Sequence, residues 1–250
     1  IEQGKTLAEA KGESLMGTTY IEFYAEEAKR VYGDIISDPL PDRRILVIKQ
    51  PVGVVGAITP WNFPIAIPSW KAFPALVAGN TMVIKPAEDT PLSVCRLAMV
   101  FEEAGLPAGV FNVVTGYGPS AGQPLVDNPT VEFVSFTGST VTGYQIATRC
   151  SERMVPYSLE MGGKNAIVVM EDADIDLAVD GVVWGAFGTS GQRCTACSRV
   201  FVHDSLKADF TDKLVKRAES LFIGDGLDDK VDMGPVINEK ALKKIHTMVT

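Results

Sequence analysis

The residues of this chain most able to do chemistry lie in SGQRCTACSR, Ser190–Arg199, where Cys194 and Cys197 stand three apart between a Gly-Gln and a Ser-Arg pair. A thiol pair at this spacing can be a redox disulfide, half of a metal site, or a nucleophile with a bystander. A zinc ribbon needs a second CxxC or a Cys/His pair nearby. Only Cys95, Cys150, His203 and His246 remain, in no motif, so no metal is expected. A thioredoxin-like pair sits at a helix start after a strand, whereas this pair follows a helical pattern and precedes a strand pattern. A structural buried cysteine is a further option. A single nucleophilic cysteine in a Gly-rich loop is the sharpest reading, and with neither histidine in a partner motif it is not a Cys–His hydrolase.

Four other groups follow strand-like runs, where open α/β sheets collect ligands. In PWNFP, Pro60–Pro64, Asn62 carries an amide between Trp61 and Phe63. It is either a turn asparagine or a donor to a developing oxyanion. In KPAE, Lys85 and Glu88 are either a solvated pair or a ribose site, the ammonium donating and the carboxylate accepting from vicinal hydroxyls. Such a carboxylate repels a 2′-phosphate and favours NAD over NADP. FTGSTVTG, Phe136–Gly143, puts Gly138, Ser139 and Thr140 before a helix whose N–H groups attract a phosphate, although an ordinary N-cap reads the same way. In EMGGK, Glu160 ends an apolar segment. A partly desolvated carboxylate there suits a general base, and a surface glutamate is the alternative.

The elements that must position these groups alternate. Strands are expected at Arg44–Gln50, Val52–Thr59, Thr81–Lys85, Val110–Val114, Val131–Phe136, Asn165–Met170 and Arg199–His203, with another ending near Glu160. Helical spacing covers Ala66–Ala78, Leu92–Ala104, Thr140–Ser151, Ile175–Gly188 and Leu206–Leu221. This alternation predicts an α/β fold with a largely parallel sheet covered by helices. Gly33–Pro51 breaks the rhythm and reads as a projecting hairpin. The 250 residues, 46% of them hydrophobic, suffice for one large α/β domain or two smaller ones. A net charge of −8 argues against a nucleic-acid partner. No apolar run approaches the roughly 18–20 residues that cross a membrane, and no leader is expected. Four scattered cysteines fit a reducing, cytoplasmic setting. The helix-like start IEQGKTLAEAKGE and end ALKKIHTMVT read as cuts within a longer protein.

PWNFP, KPAE, FTGSTVTG, EMGGK and GQRC, in this order and spacing, resemble the NAD(P)-dependent aldehyde dehydrogenase superfamily over essentially the whole chain. The resemblance implies that Cys194 is the nucleophile and Cys197 is not, that Asn62 and the Cys194 N–H hold the oxyanion, and that Glu160 activates water to hydrolyse a thioester. Glu160 also separates the chain from the coenzyme-A-acylating branch. The cofactor implied is NAD, with NADP possible. Ile58, Thr59, Pro60, Trp61 and Asn62 would lie along the nicotinamide, Lys85 and Glu88 at the adenine ribose, and Gly118 and Gly122 near the adenine. Phe136, Gly138, Ser139, Thr140 and Gly143 would form the pyrophosphate loop, and Glu160, Met161 and Gly162 would close the site.

The fold implied is a Rossmann-like cofactor domain, residues 1–32 and 52–161, interrupted by an oligomerisation arm at 33–51 and followed by an incomplete catalytic domain at 162–250. A homodimer or homotetramer follows from the arm. Family members are longer, so the N-terminal part of the cofactor domain and a downstream Glu-Phe motif are missing, and 250 residues alone are expected to be poorly active.

EEAKRVYGD and WNFPIAIPSWK look like the succinate-semialdehyde and 2-oxoglutarate-semialdehyde branch. Succinate-semialdehyde enzymes carry carboxylate-clamping arginines where Trp70 and Gly188 stand here. Trp70 and Phe187 would instead line an apolar substrate tunnel. Some relatives oxidise a second cysteine reversibly, so a Cys194–Cys197 switch is a further expectation. The competing readings are a truncated, non-catalytic binding protein and a CxxC thiol–disulfide oxidoreductase.

Overall fold

The computed structural model describes residues 1–249, so Thr250, the last residue of the expected catalytic domain, lies outside the described residues. The chain divides into two compact units: Glu13–Glu160, and Ile1–Gly12 with the residues from Met161 onward. Helix α1, Leu7–Glu27, contributes to both.

In the unit Glu13–Glu160, β1 (Asp34–Ser37) and β2 (Arg44–Val47) form an antiparallel hairpin whose eight strand residues are all exposed. Its turn is set locally, because Asp38 accepts from the Leu40 N–H at 2.8 Å, the short-range bond that makes aspartate a turn residue. Gly33 closes the other end, since a Cβ there would meet the Val47 carbonyl at 2.1 Å.

The remainder alternates as expected. It runs β3 (Val54–Ile58), α2 (Ala66–Val77), β4 (Thr81–Lys85), α3 (Leu92–Glu103), β5 (Phe111–Val113), α4 (Gln123–Asp127), β6 (Val131–Gly138), α5 (Thr140–Glu152) and β7 (Tyr157–Met161). The five strands are ordered β5-β4-β3-β6-β7, with β3 parallel to β4 and β6, and β4 parallel to β5. The order reverses at β3, which makes its C-terminal end the switch point where ligands bind in open α/β sheets. Val55, Met82, Ile84 and Val94 form one buried cluster, and Val131, Val134, Phe136 and Ile146 belong to another. Each such side chain contributes on the order of 2 kcal/mol. These runs are continuously apolar because covered parallel strands bury both faces.

In the other unit, β8 (Asn165–Val169), α6 (Ile175–Phe187) and β9 (Cys197–Val202) form a parallel crossover. Helices α7 (Lys207–Glu219) and α8 (Glu239–Val249) follow. Asp174 caps α6 by accepting from the Leu177 N–H at 3.0 Å. Val169, Val179, Val182, Val183 and Phe210 make the core. At the start of α1, Thr6 and Glu9 form a capping box. The Glu9 N–H donates to Thr6 Oγ1 at 3.4 Å and the Thr6 N–H donates to Glu9 Oε2 at 3.2 Å.

Several boundaries differ from the sequence pattern, most by one or two residues, and β2 stops at Val47 rather than Gln50. Strand β6 runs on through Thr137 and Gly138, and β9 starts at Cys197 rather than Arg199. In both places polar residues continue a backbone ladder that hydrophobic periodicity does not register. No helix among the described residues is long and apolar enough to cross a membrane.

Candidate active site

The expected cofactor residues gather at strand ends of the unit Glu13–Glu160. Ile58 ends β3 and Lys85 ends β4, and the Thr59 N–H donates to the Lys85 carbonyl at 3.1 Å. Lys85 is buried; its Nζ donates to the Pro86 carbonyl at 2.8 Å and to Glu88 Oε2 at 3.3 Å. Gly118–Gly122 form a wide turn that reaches the same place, since a Cβ on Gly122 would sit 3.6 Å from both Ile58 Cδ1 and Lys85 Cδ. At the end of β6, Gly138 lies against the Phe136 ring, closer than any Cβ allows. Ser139 then caps α5, its Oγ accepting from the Thr142 N–H at 3.3 Å, with Thr140 and Gly143 in the first turn. The cap is therefore real, and the first-turn N–H groups of α5 open where β6 ends beside β3. Among the described residues the Thr59 hydroxyl, 2% exposed, has no hydrogen-bond partner. A buried polar atom left so calls for a water or a ligand's polar group, and this one stands at the switch point where open α/β sheets bind ligands.

Asn62 is buried in the loop between β3 and α2. Helix α2 has no side-chain cap of its own. Glu13 of α1 supplies one, its Oε1 accepting from the N–H groups of Ile65 at 2.7 Å and Ala66 at 3.1 Å. The Thr90 hydroxyl donates to the carbonyl of Trp61 at 3.4 Å, so the loop is gripped on both sides of Asn62. Within this unit the Trp70 ring meets Tyr20 edge-on at 5.8 Å, and its buried Nε1 has no hydrogen-bond partner.

Glu160 lies between its two expected settings, a partly desolvated carboxylate and a surface one. Its side chain is 48% exposed, because β7 is an edge strand. Two groups hold it: Thr137 Oγ1 donates to Oε2 at 2.6 Å, and Lys71 Nζ lies 3.5 Å from the same oxygen. Lys71 also donates to Ser135 at 3.0 Å. Ser135 and Thr137 share a face of β6, being two residues apart. Burial pushes the Lys71 ammonium below its ordinary 10.5, with the Glu160 charge opposing. Met161 and Gly162, which follow, are exposed.

Cys194 is exposed, on a turn in which the Ala196 N–H donates to the Arg193 carbonyl at 3.1 Å. Asn165, opening β8, donates through Nδ2 to the Cys194 carbonyl at 2.7 Å and the Ala196 carbonyl at 3.3 Å. Upstream, Thr189 (φ 53°, ψ 38°), Ser190 (φ 54°, ψ 33°) and Gly191 (φ 69°) are consecutively left-handed. Such a backbone costs each non-glycine residue roughly 1–2 kcal/mol. Ser190 Oγ donates to the Gly234 carbonyl at 2.6 Å, and Gln192 Oε1 accepts from the Ile237 N–H at 2.9 Å. The Arg193 guanidinium lies 3.9 Å over the Trp184 ring and donates to the Trp184 carbonyl at 2.6 Å. A Cβ on Gly188 would come within 3.0 Å of that guanidinium. Phe187 packs against the Val179 and Val183 core. Cys197 donates to the Arg199 carbonyl at 3.3 Å, and all four cysteines are free thiols.

Sequence reasoning missed Glu13, Lys71, Thr137 and Asn165. Lys71 alone had a signal, a lysine inside an otherwise apolar helix pattern. The others are polar residues whose partners lie far along the chain.

Across residues 1–250 the chain matches the aldehyde dehydrogenase family, and it belongs to that family. It is 50% identical over 246 residues to the NADP(+) succinate-semialdehyde dehydrogenase of Escherichia coli (strain K12), covering 98% of this chain and 51% of that protein. It is 49% identical over 246 residues to a glutarate-semialdehyde dehydrogenase of Pseudomonas aeruginosa, with the same coverage. A crystal structure of an E. coli NADP-dependent enzyme superposes with a TM-score of 0.97 at 49% identity, over 100% of this chain and 52% of that one. The chain thus spans about half the length of the curated relatives it matches.

Proposed function

We propose that this chain carries the nucleophile and dinucleotide site of an NAD(P)-dependent aldehyde dehydrogenase that oxidises a semialdehyde to a carboxylic acid. The observation that carries this reading is Cys194, an exposed free thiol on a turn whose carbonyl is pinned by Asn165. The Cys194 thiolate adds to the aldehyde carbon, and the resulting oxyanion accepts hydrogen bonds from the Asn62 amide and the Cys194 N–H. NAD(P)+, when bound, would supply the hydride acceptor; once that carbon has lost its hydride, Cys194 carries the acyl group as a thioester. Glu160 takes a proton from water, the water oxygen attacks the thioester, and the thiolate leaves as the acid is released. Thr137 and Lys71 orient the Glu160 carboxylate for this work. The dinucleotide would be held by Thr59, Lys85, Glu88 and the Gly118–Gly122 and Gly138–Gly143 loops.

The hairpin of β1 and β2 serves as the oligomerisation arm, supported by its exposed apolar residues Ile35, Ile36, Ile45 and Leu46. Free thiols throughout fit a cytoplasmic enzyme.

Substrate class follows the relatives, with the two arginine positions held here by Trp70 and Gly188. NADH and NADPH formation by the full-length protein that contains this chain, with succinate, glutarate and 2-oxoglutarate semialdehydes and a plain alkanal, tests the reading. Preference for a semialdehyde supports it, and alkanal preference overturns the semialdehyde part of the reading. No turnover with any of them overturns it.

A further inference from the structure

We infer that Glu9 is a positioning residue for Cys194, clamping the left-handed turn that leads into the nucleophile; the inference rests on the dehydrogenase reading for what that turn is for. Thr189, the first left-handed residue, is β-branched and 5% exposed. Such a residue keeps φ near +53° only when its surroundings over-determine it. Its N–H and hydroxyl are both held by one carboxylate. Glu9 Oε1 accepts from the Thr189 N–H at 2.5 Å and from its hydroxyl at 3.4 Å. The other oxygen, Oε2, accepts from the N–H and hydroxyl of Thr6 at 3.2 and 3.1 Å. The first turn of α1 is thereby tied to the turn before the nucleophile.

From Thr189 the constraint continues along hydrogen bonds. The Gln192 N–H donates to the Thr189 carbonyl at 3.0 Å, while the Gln192 side chain accepts from Ile237. Gly191 admits no Cβ, because one would meet the Ala186 carbonyl at 2.8 Å. Arg193 is then fixed on Trp184, and Cys194 follows. Removing Glu9 leaves a buried N–H unpaired and lets Thr189 relax to negative φ, which re-aims the residues after it.

The test uses the full-length protein that contains this chain, with Glu9→Ala, Thr6→Ala and Glu9→Ala/Thr189→Gly. Amide hydrogen exchange over 189–194 reads the clamp, and kcat and KM for aldehyde oxidation read the positioning. Glu9→Ala is expected to accelerate exchange there and lower kcat by about tenfold or more, with KM little changed. Thr6→Ala, which removes the α1 cap and one hydroxyl bond to Glu9 but retains the Glu9–Thr189 bonds, leaves both near the parent values. Thr189→Gly, free to hold positive φ unaided, restores most of the lost kcat. Unchanged exchange in Glu9→Ala, an equal kcat loss in Thr6→Ala, or no recovery with Thr189→Gly overturns the inference. A parent chain that oxidises no aldehyde overturns the functional reading instead, and the exchange data still decide whether Glu9 holds the turn.

Discussion

The turn that opens α5 and the turn that leads into Cys194 each present a polar group just outside a sheet, by opposite means. Ser139 follows β6 and enters α5 with ordinary dihedrals, and its own side chain caps the helix. Thr189–Gly191 run left-handed, against the preference of two of the three residues, and are held by partners distant in sequence, Glu9 and Gly234. A dinucleotide loop needs backbone N–H groups aimed outward, which any helix start supplies. A nucleophile, the role proposed for Cys194, needs one side chain at one angle, and the turn before it is held against local strain.

The comparison can be broken or sharpened by substitution. Cys194→Ser is expected to abolish aldehyde oxidation while sparing dinucleotide binding, read by NADH formation and by coenzyme fluorescence titration. Turnover that survives would strip the strained turn of its purpose. Glu160→Gln should slow the steady state by about 10²- to 10⁴-fold yet keep a first-turnover burst of NADH, because water activation is needed only after the hydride has left. A missing burst would move Glu160 to an earlier step.

Gly191→Ala should cost roughly 1–3 kcal/mol, from positive φ and the close Ala186 carbonyl. Ser139→Ala should cost about 1 kcal/mol, the value of a helix cap. Urea midpoints measure both; equal losses would erase the contrast between the two turns. The smallest effect concerns Lys71. Burial holds its ammonium below 10.5, so as pH climbs toward 10.5 the unfolded chain binds more protons at this residue than the folded one, and its contribution to stability rises with pH. Lys71→Met should flatten that alkaline rise in urea midpoints, and an unchanged slope would contradict the direction of the shift.

The sheet residues were legible because their signal is local. VVGAI and TMVIK are apolar on both faces, as strands within a covered parallel sheet must be, and the motif residues sit next to those strands in sequence. Ser139 could be foreseen as a cap because the cap is made within three residues. The environment of Glu160 stayed open between a partly desolvated and a surface carboxylate for the converse reason. Its half-exposed setting followed from β7 lying at the sheet edge, a property of strand order.

Sequence alone determined the alternation of elements, the family, the candidacy of Cys194, Asn62 and Glu160 for the proposed site, and the glycines their loops require, since each depends on residue types within a few positions. Only the tertiary structure decided that Lys71 and Thr137 hold Glu160, that Glu13 caps α2, that Asn165 pins the Cys194 carbonyl, and that Glu9 restrains Thr189. These are one or two hydrogen bonds each, between residues 23 to 180 positions apart. A glutamate or asparagine carries no mark of a partner that folding alone brings within 3 Å.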